Sequence, residues 1–124
     1  MELNEYQEQA METCMKSCDN FAYMMLNLIG EVGEFASKIA KEIRKGNMEI
    51  GGEGSPNRLL PFVDEEDWRS KEEELKKEAG DILWQLSGLC KAMGWALEEV
   101  GRMNLEKLAS RKLRGVIEGN GDNR

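Results

Sequence analysis

Two long stripes of apolar residues at helical spacing most constrain what this chain can fold into. Met25, Leu28, Ile29, Val32, Ala36, Ile39 and Ile43 recur at intervals of three and four, and Leu75, Ala79, Ile82, Leu86, Leu89 and Met93 do the same. That period lays each set along one face of an α-helix. No stretch alternates apolar and polar residues over strand length. Two long amphipathic helices must cover their stripes with other helices, so the expected fold is all-α and four-helix-bundle-like.

Capping and breaking residues divide the chain into four expected helices. The first runs from Asn4, a good N-cap, to about Cys18, where Asp19-Asn20 breaks it. The second runs from Phe21 to about Lys45 and stops at Gly46-Asn47. The third starts between Asp64 and Ser70 and ends at Gly94. The fourth spans Ala96 to Leu113 through Leu97, Val100, Leu105 and Leu108. Between helices two and three, residues 47–66 hold Gly51, Gly52, Gly54, Ser55, Pro56 and Pro61, which no helix survives. This segment is expected to be an irregular insertion loop, docked in part through Leu59, Leu60, Phe62 and Val63. Residues 1–114 form the expected helical domain, and 115–124, rich in Gly and Asn, a C-terminal tail.

At 124 residues the chain is one domain with a moderate core, which a homodimer or homotetramer would enlarge. A net charge of −7 argues against nucleic acid or an anionic membrane as partner, since both demand basic patches. No apolar run is long enough to span a bilayer, and Met1-Glu2-Leu3-Asn4-Glu5 has no signal-peptide character. Cys14, Cys18 and Cys90 are an odd number without zinc spacing. The expected compartment is a reducing cytoplasm. Histidine is absent, which excludes Ser-His-Asp and Cys-His catalysis and His-ligated metals.

Chemistry enters with two near-repeated words, Glu31-Val32-Gly33-Glu34 and Glu78-Ala79-Gly80-Asp81. Three residues along a helix are roughly 300° of turn and roughly 4.5 Å of rise, so each acid pair shares a face. Two such pairs on facing helices would make an oxygen-only cage suited to Mg²⁺. The acids lie at the edges of the apolar stripes, where a neighbouring helix partly buries them. Asn27 and Lys38 share the line of the first pair, and Gln85 follows the second. Gly33 and Gly80 each cost about 1 kcal/mol against Ala in a helix, so a close backbone approach beside the acids is expected. The bland alternative is chance: 24 acids make such a match easy, and Glu72-Glu73-Glu74 is a solvated run. The coincidence of two pairs, each with a glycine in register on an amphipathic helix, favours the site.

These words and their flanks resemble the MazG-like nucleotide pyrophosphohydrolases of the all-α NTP pyrophosphatase superfamily. Leu28-Ile29-Gly30-Glu31-Val32-Gly33-Glu34 resembles the family's second-helix signature, and Lys77-Glu78-Ala79-Gly80-Asp81-Ile82-Leu83-Trp84-Gln85-Leu86 its third. Leu97-Glu98-Glu99-Val100 and Asn104-Leu105-Glu106-Lys107-Leu108 resemble the fourth. The resemblance implies Mg²⁺-dependent hydrolysis of a nucleoside triphosphate to a monophosphate and pyrophosphate, with Mn²⁺ as a substitute metal and nucleotide-pool house-cleaning as a role. It implies that Glu31, Glu34, Glu78 and Asp81 hold the metal and that Asn104 and Lys107 face the phosphates or sugar. One departure is the separation of the acid pairs by residues 35 to 77, longer than the family's usual spacing.

Phosphoryl transfer needs charge neutralisation and an in-line water more than covalent catalysis. Glu31 or Glu34 is the candidate base. Lys107 would neutralise the leaving pyrophosphate, with Lys16, Lys38, Arg111, Lys112 and Arg114 as weaker candidates. Trp84, Trp68, Tyr6 and Phe21 are candidates to stack on a base, and Met24, Asn27 and Gln85 to line the substrate pocket. The competing readings are a phosphoribosyl-ATP pyrophosphohydrolase-like enzyme and a non-catalytic helical oligomerisation module.

Overall fold

The computed structural model describes residues 1–51, 58–61 and 63–121. The architecture is all-α with a small hairpin: α1 (Leu3–Met11), α2 (Phe21–Arg44), β1 (Met48–Gly51), β2 (Arg58–Pro61), α3 (Glu65–Ala92) and α4 (Leu97–Leu113), with a short 3₁₀ turn at Lys16–Cys18 before α2.

The long pair α2 and α3 is the body of the fold, and local chemistry sets its ends. Asn20 Oδ1 accepts from the Tyr23 backbone N–H at 2.9 Å, and Asp64 Oδ1 accepts from that of Asp67 at 2.9 Å. Each cap satisfies an otherwise orphaned N–H. Glu65, Glu66 and Asp67 place negative charge in the first turn of α3, and Lys41 and Arg44 place positive charge in the last turn of α2, both favoured by the helix dipole. Gly46 and Gly94, each at φ +75°, turn the chain out of α2 and α3.

The first helix is shorter than its sequence suggests. It ends at Met11 rather than near Cys18. The carbonyl of Ala10 accepts from Thr13 Oγ1 (2.7 Å), from the Thr13 N–H (3.1 Å) and from Trp84 Nε1 (3.0 Å). These bonds tighten the last turn and stop propagation. Asn4 does not cap α1, where a Glu2–Glu5 capping box serves. Its Oδ1 instead accepts from the backbone N–H of Glu98 at 3.0 Å, while Gln7 Oε1 accepts from that of Leu97 at 3.0 Å. α1 thus caps α4, whose own N-cap residue, Ala96, makes no side-chain cap bond.

Two further expectations are corrected. The segment expected to be irregular contains an antiparallel ladder, Met48 opposite Pro61 through Gly51 opposite Arg58. Four-residue strands are too short to show alternation in sequence. Residues 52–57 and Phe62 lie outside the described part, as do 122–124. The close helix approach does not occur at Gly33 or Gly80, where a Cβ added to either residue would meet nothing within 4 Å. At Gly88, by contrast, the missing Cβ makes room for the buried side chain of Met24.

The described core is thin: Met11, Met24, Met48, Cys90 and Leu97 are its buried apolar side chains. Leu26, Ile29 and Val32 on α2 remain 50 to 71 % exposed, and Met103, Leu105 and Leu113 on α4 are also exposed. No described helix is long and apolar enough to cross a membrane.

Candidate metal centre

α2 and α3 bring three of the four acids together. Glu31, Glu78 and Asp81 each present a carboxylate oxygen, and these three atoms lie within 4.8 Å of one another. Their burial is graded: Glu78 is the most buried, Glu31 is half-buried and Asp81 is exposed. Glu34 is exposed and stands outside this triad.

The triad carries excess negative charge. Burial, then the charges of Glu34 and Asp81, push the Glu31 carboxyl above the ordinary carboxylate range, with Glu78 adding to the effect and the Asn27 hydrogen bond opposing it. The phenol of Tyr6 is raised by burial first and by the charge of Asp81 second, which places α1 beside the same acids. Glu78 Oε1 meets Lys38 Nζ at 2.8 Å. Its other oxygen, Oε2, is buried with no hydrogen-bond partner among the described residues. A buried, unpartnered carboxylate oxygen is costly unless a cation or donor satisfies it. The donor set, carboxylates alone, suits a hard divalent cation such as Mg²⁺ or Mn²⁺. The residues therefore fit the metal that the sequence implies.

A polar relay fixes Glu31 from behind. Asn27 Nδ2 donates to Glu31 Oε1 at 3.1 Å and to Gln85 Oε1 at 2.9 Å. Gln85, 2 % exposed, donates in turn to the Met24 carbonyl at 3.4 Å. Of the residues expected to line a substrate pocket, Asn27 and Gln85 thus join the acids, with their amides engaged in orienting Glu31. Trp84 points its indole N–H at Ala10 and at Thr13 Oγ1 (2.9 Å), tying α3 to the end of α1. Asn104 and Lys107 line a different groove on α4 with Trp95, Glu99, Val100 and Met103, about 610 Å³ in volume. None of the four acids lines that groove.

The contact of Lys38 with Glu78 is one that the sequence does not disclose. The register of Lys38, four residues after Glu34, places it on the acid line, but its partner is across the helix pair. Only the α2–α3 packing decides that it meets Glu78.

With this geometry in view, the comparisons decide the family. The family model described as the MazG nucleotide pyrophosphohydrolase domain matches residues 20–115. The chain belongs to the MazG nucleotide pyrophosphohydrolase family. The matched MazG span takes in α2, α3 and α4, hence all four acids, the Asn27–Gln85 relay and Lys38. The chain is also 34 % identical to the Gene 37 protein of Mycobacterium phage L5, with both proteins covered in full. No solved structure matches.

Proposed function

We propose that this MazG-family protein is a divalent-cation-dependent nucleoside triphosphate pyrophosphohydrolase that releases a nucleoside monophosphate and pyrophosphate. The observation that carries the reading is the convergence of Glu31, Glu78 and Asp81 within 4.8 Å, with the buried Glu78 Oε2 left unpartnered. Glu31, Glu78 and Asp81 would hold the cation, Mg²⁺ or in its place Mn²⁺. When bound, such a cation neutralises phosphate charge and lowers the pKa of water. Glu34, exposed and outside the triad, is the carboxylate left over and accepts the proton of the attacking water. Gln85 and Asn27 hold Glu31 in place, which limits the reorganisation required at the reacting centre.

The active unit in this reading is a homodimer or homotetramer. The exposed apolar residues of α2 and α4 need cover that the described residues do not provide. Asn104 and Lys107 would meet the phosphates or sugar when a second copy brings its α4 groove to the triad, since within one chain that groove lacks the acids.

The test is a panel of ordinary and modified nucleoside triphosphates, scored for pyrophosphate, and a run in ¹⁸O-water. Attack at the α-phosphorus places the label in the monophosphate. Label in orthophosphate, with a diphosphate as co-product, means γ-attack and overturns the reading. A purified protein that turns over no triphosphate with Mg²⁺ or Mn²⁺ overturns it as well.

A further inference from the structure

The ion pair between Lys38 and Glu78 is the one place, among the described residues, where the triad already has a cation. Nζ lies 2.8 Å from Oε1, with the Glu78 side chain 11 % exposed and that of Lys38 43 % exposed. The lysine therefore spans from a buried acid to open water.

Lys38 also lines a second space. A cleft of about 210 Å³ lies between the C-terminal half of α2, β1 and the first half of α3, walled by Lys38, Lys41, Lys71, Glu42, Glu74 and Met48 among others. Lys71 is held by Glu42 at 2.9 Å. Lys41 has no ion-pair partner among the described residues, so its ammonium stands with Lys38 in a wall that also carries Glu42 and Glu74. Lys38 therefore borders both the triad and this cleft.

We propose that Lys38 is the resident counter-ion of the triad, holding Glu78 until a divalent cation takes its place and then presenting its ammonium, beside Lys41, to the polyphosphate of the substrate. The exchange puts two positive charges where Glu78 had one and frees the ammonium to meet the added negative charge of the polyphosphate. Breaking the ion pair costs little, because a half-exposed ammonium regains water and then a phosphate oxygen. The second half of the exchange, though not the first, rests on the pyrophosphohydrolase reading. A structural lysine would support both ligands; an exchanging lysine opposes the metal and assists the phosphate. The two roles therefore differ in sign.

The test is calorimetric and needs no turnover. Mg²⁺ is titrated without nucleotide into the parent protein, Lys38→Met, Lys38→Gln and Lys38→Arg, each checked by circular dichroism. Inorganic tripolyphosphate is then titrated with Mg²⁺ in excess. The neutral variants are expected to bind Mg²⁺ about three- to tenfold more tightly, because no ammonium competes for Glu78, and tripolyphosphate about ten- to a hundredfold more weakly, because a charge-assisted contact is gone. Lys38→Arg should stay near the parent in both. Unchanged Mg²⁺ affinity, or Mg²⁺ and tripolyphosphate weakening together, overturns the proposal while leaving the pyrophosphohydrolase reading intact. Tighter Mg²⁺ with unchanged tripolyphosphate overturns the hand-over to phosphate. A parent protein that binds no Mg²⁺ and is equally blind to Mn²⁺ overturns both this proposal and the functional reading.

Discussion

Asn27 on α2 donates its amide to Gln85 on α3 at 2.9 Å and, with the same nitrogen, to Glu31 at 3.1 Å. A buried glutamine on one helix thereby sets the orientation of an acid on the other. Gln85→Leu removes both the acceptor for Asn27 and the donor to the Met24 carbonyl. It should destabilise the fold by about 1–3 kcal/mol, the cost of stranding buried polar groups, and lower turnover further than the stability loss explains. Chemical denaturation and steady-state kinetics on the same preparation check this, and Gln85→Glu, which keeps an acceptor, should retain more activity than Gln85→Leu.

The acids should couple stability to metal and pH. The Glu31 carboxyl is raised above its ordinary 4.5 by burial and by its acidic neighbours, so the native state binds that proton more readily than the unfolded chain. The resulting stability is present below the ordinary carboxylate range and is lost as pH rises through the raised Glu31 value. At neutral pH without metal the fold carries a penalty, which Mg²⁺ should relieve. Thermal melts should show a Tm gain with millimolar Mg²⁺ at neutral pH and little in acid below the ordinary carboxylate range. Glu31→Gln should raise the metal-free Tm at neutral pH by on the order of 2–5 °C and abolish most of the Mg²⁺ response.

Glu34 and Asp81 should separate by function. Asp81 belongs to the triad and Glu34 does not. Asp81→Asn should weaken Mg²⁺ binding and turnover together. Glu34→Gln should cut turnover by roughly 10²–10⁴-fold, the usual worth of a general base, with Mg²⁺ affinity changed by less than about fivefold. Metal titration beside kinetics distinguishes them; equal loss of metal affinity in both would return Glu34 to the ligand set.

Glycine substitutions should also diverge. Gly88→Ala drives a methyl into the Met24 side chain and should destabilise by about 1–3 kcal/mol. Gly33→Ala and Gly80→Ala meet nothing within 4 Å and should stabilise their helices by up to about 1 kcal/mol. A Tm that falls with Gly33→Ala would place a second copy of the chain against that face, which sedimentation of the variant would reveal as a weakened oligomer.

The capping of α4 by α1 predicts a local effect. Asn4→Ala and Gln7→Ala should each cost about 0.5–2 kcal/mol. Amide hydrogen exchange should speed up first at Leu97 and Glu98, whose N–H groups they bind.

The apolar stripes determined the two long helices, because a period near 3.6 sustained over about twenty residues has one structural solution. Asn20, Asp64, Gly46 and Gly94 marked the ends of those helices for equally local reasons. The spacing of Glu31 and Glu34, and of Glu78 and Asp81, put each pair on one helix face for the same reason. What the sequence left open lies wherever one helix acts on another. Asn4 has the chemistry of an N-cap in any context, and only the fold assigns it to α4. Ala10 ends α1 because Trp84, 74 residues away, reaches its carbonyl. Gly33 and Gly80 cost their helices the same as Gly88, yet of the three only Gly88 lies under a neighbouring side chain. The register of α2 against α3 likewise chose three acids of four for the triad and matched Lys38 with Glu78. Helical periodicity is a property of one segment and is written in it; register, burial and ion pairing are properties of two segments and exist only once they pack.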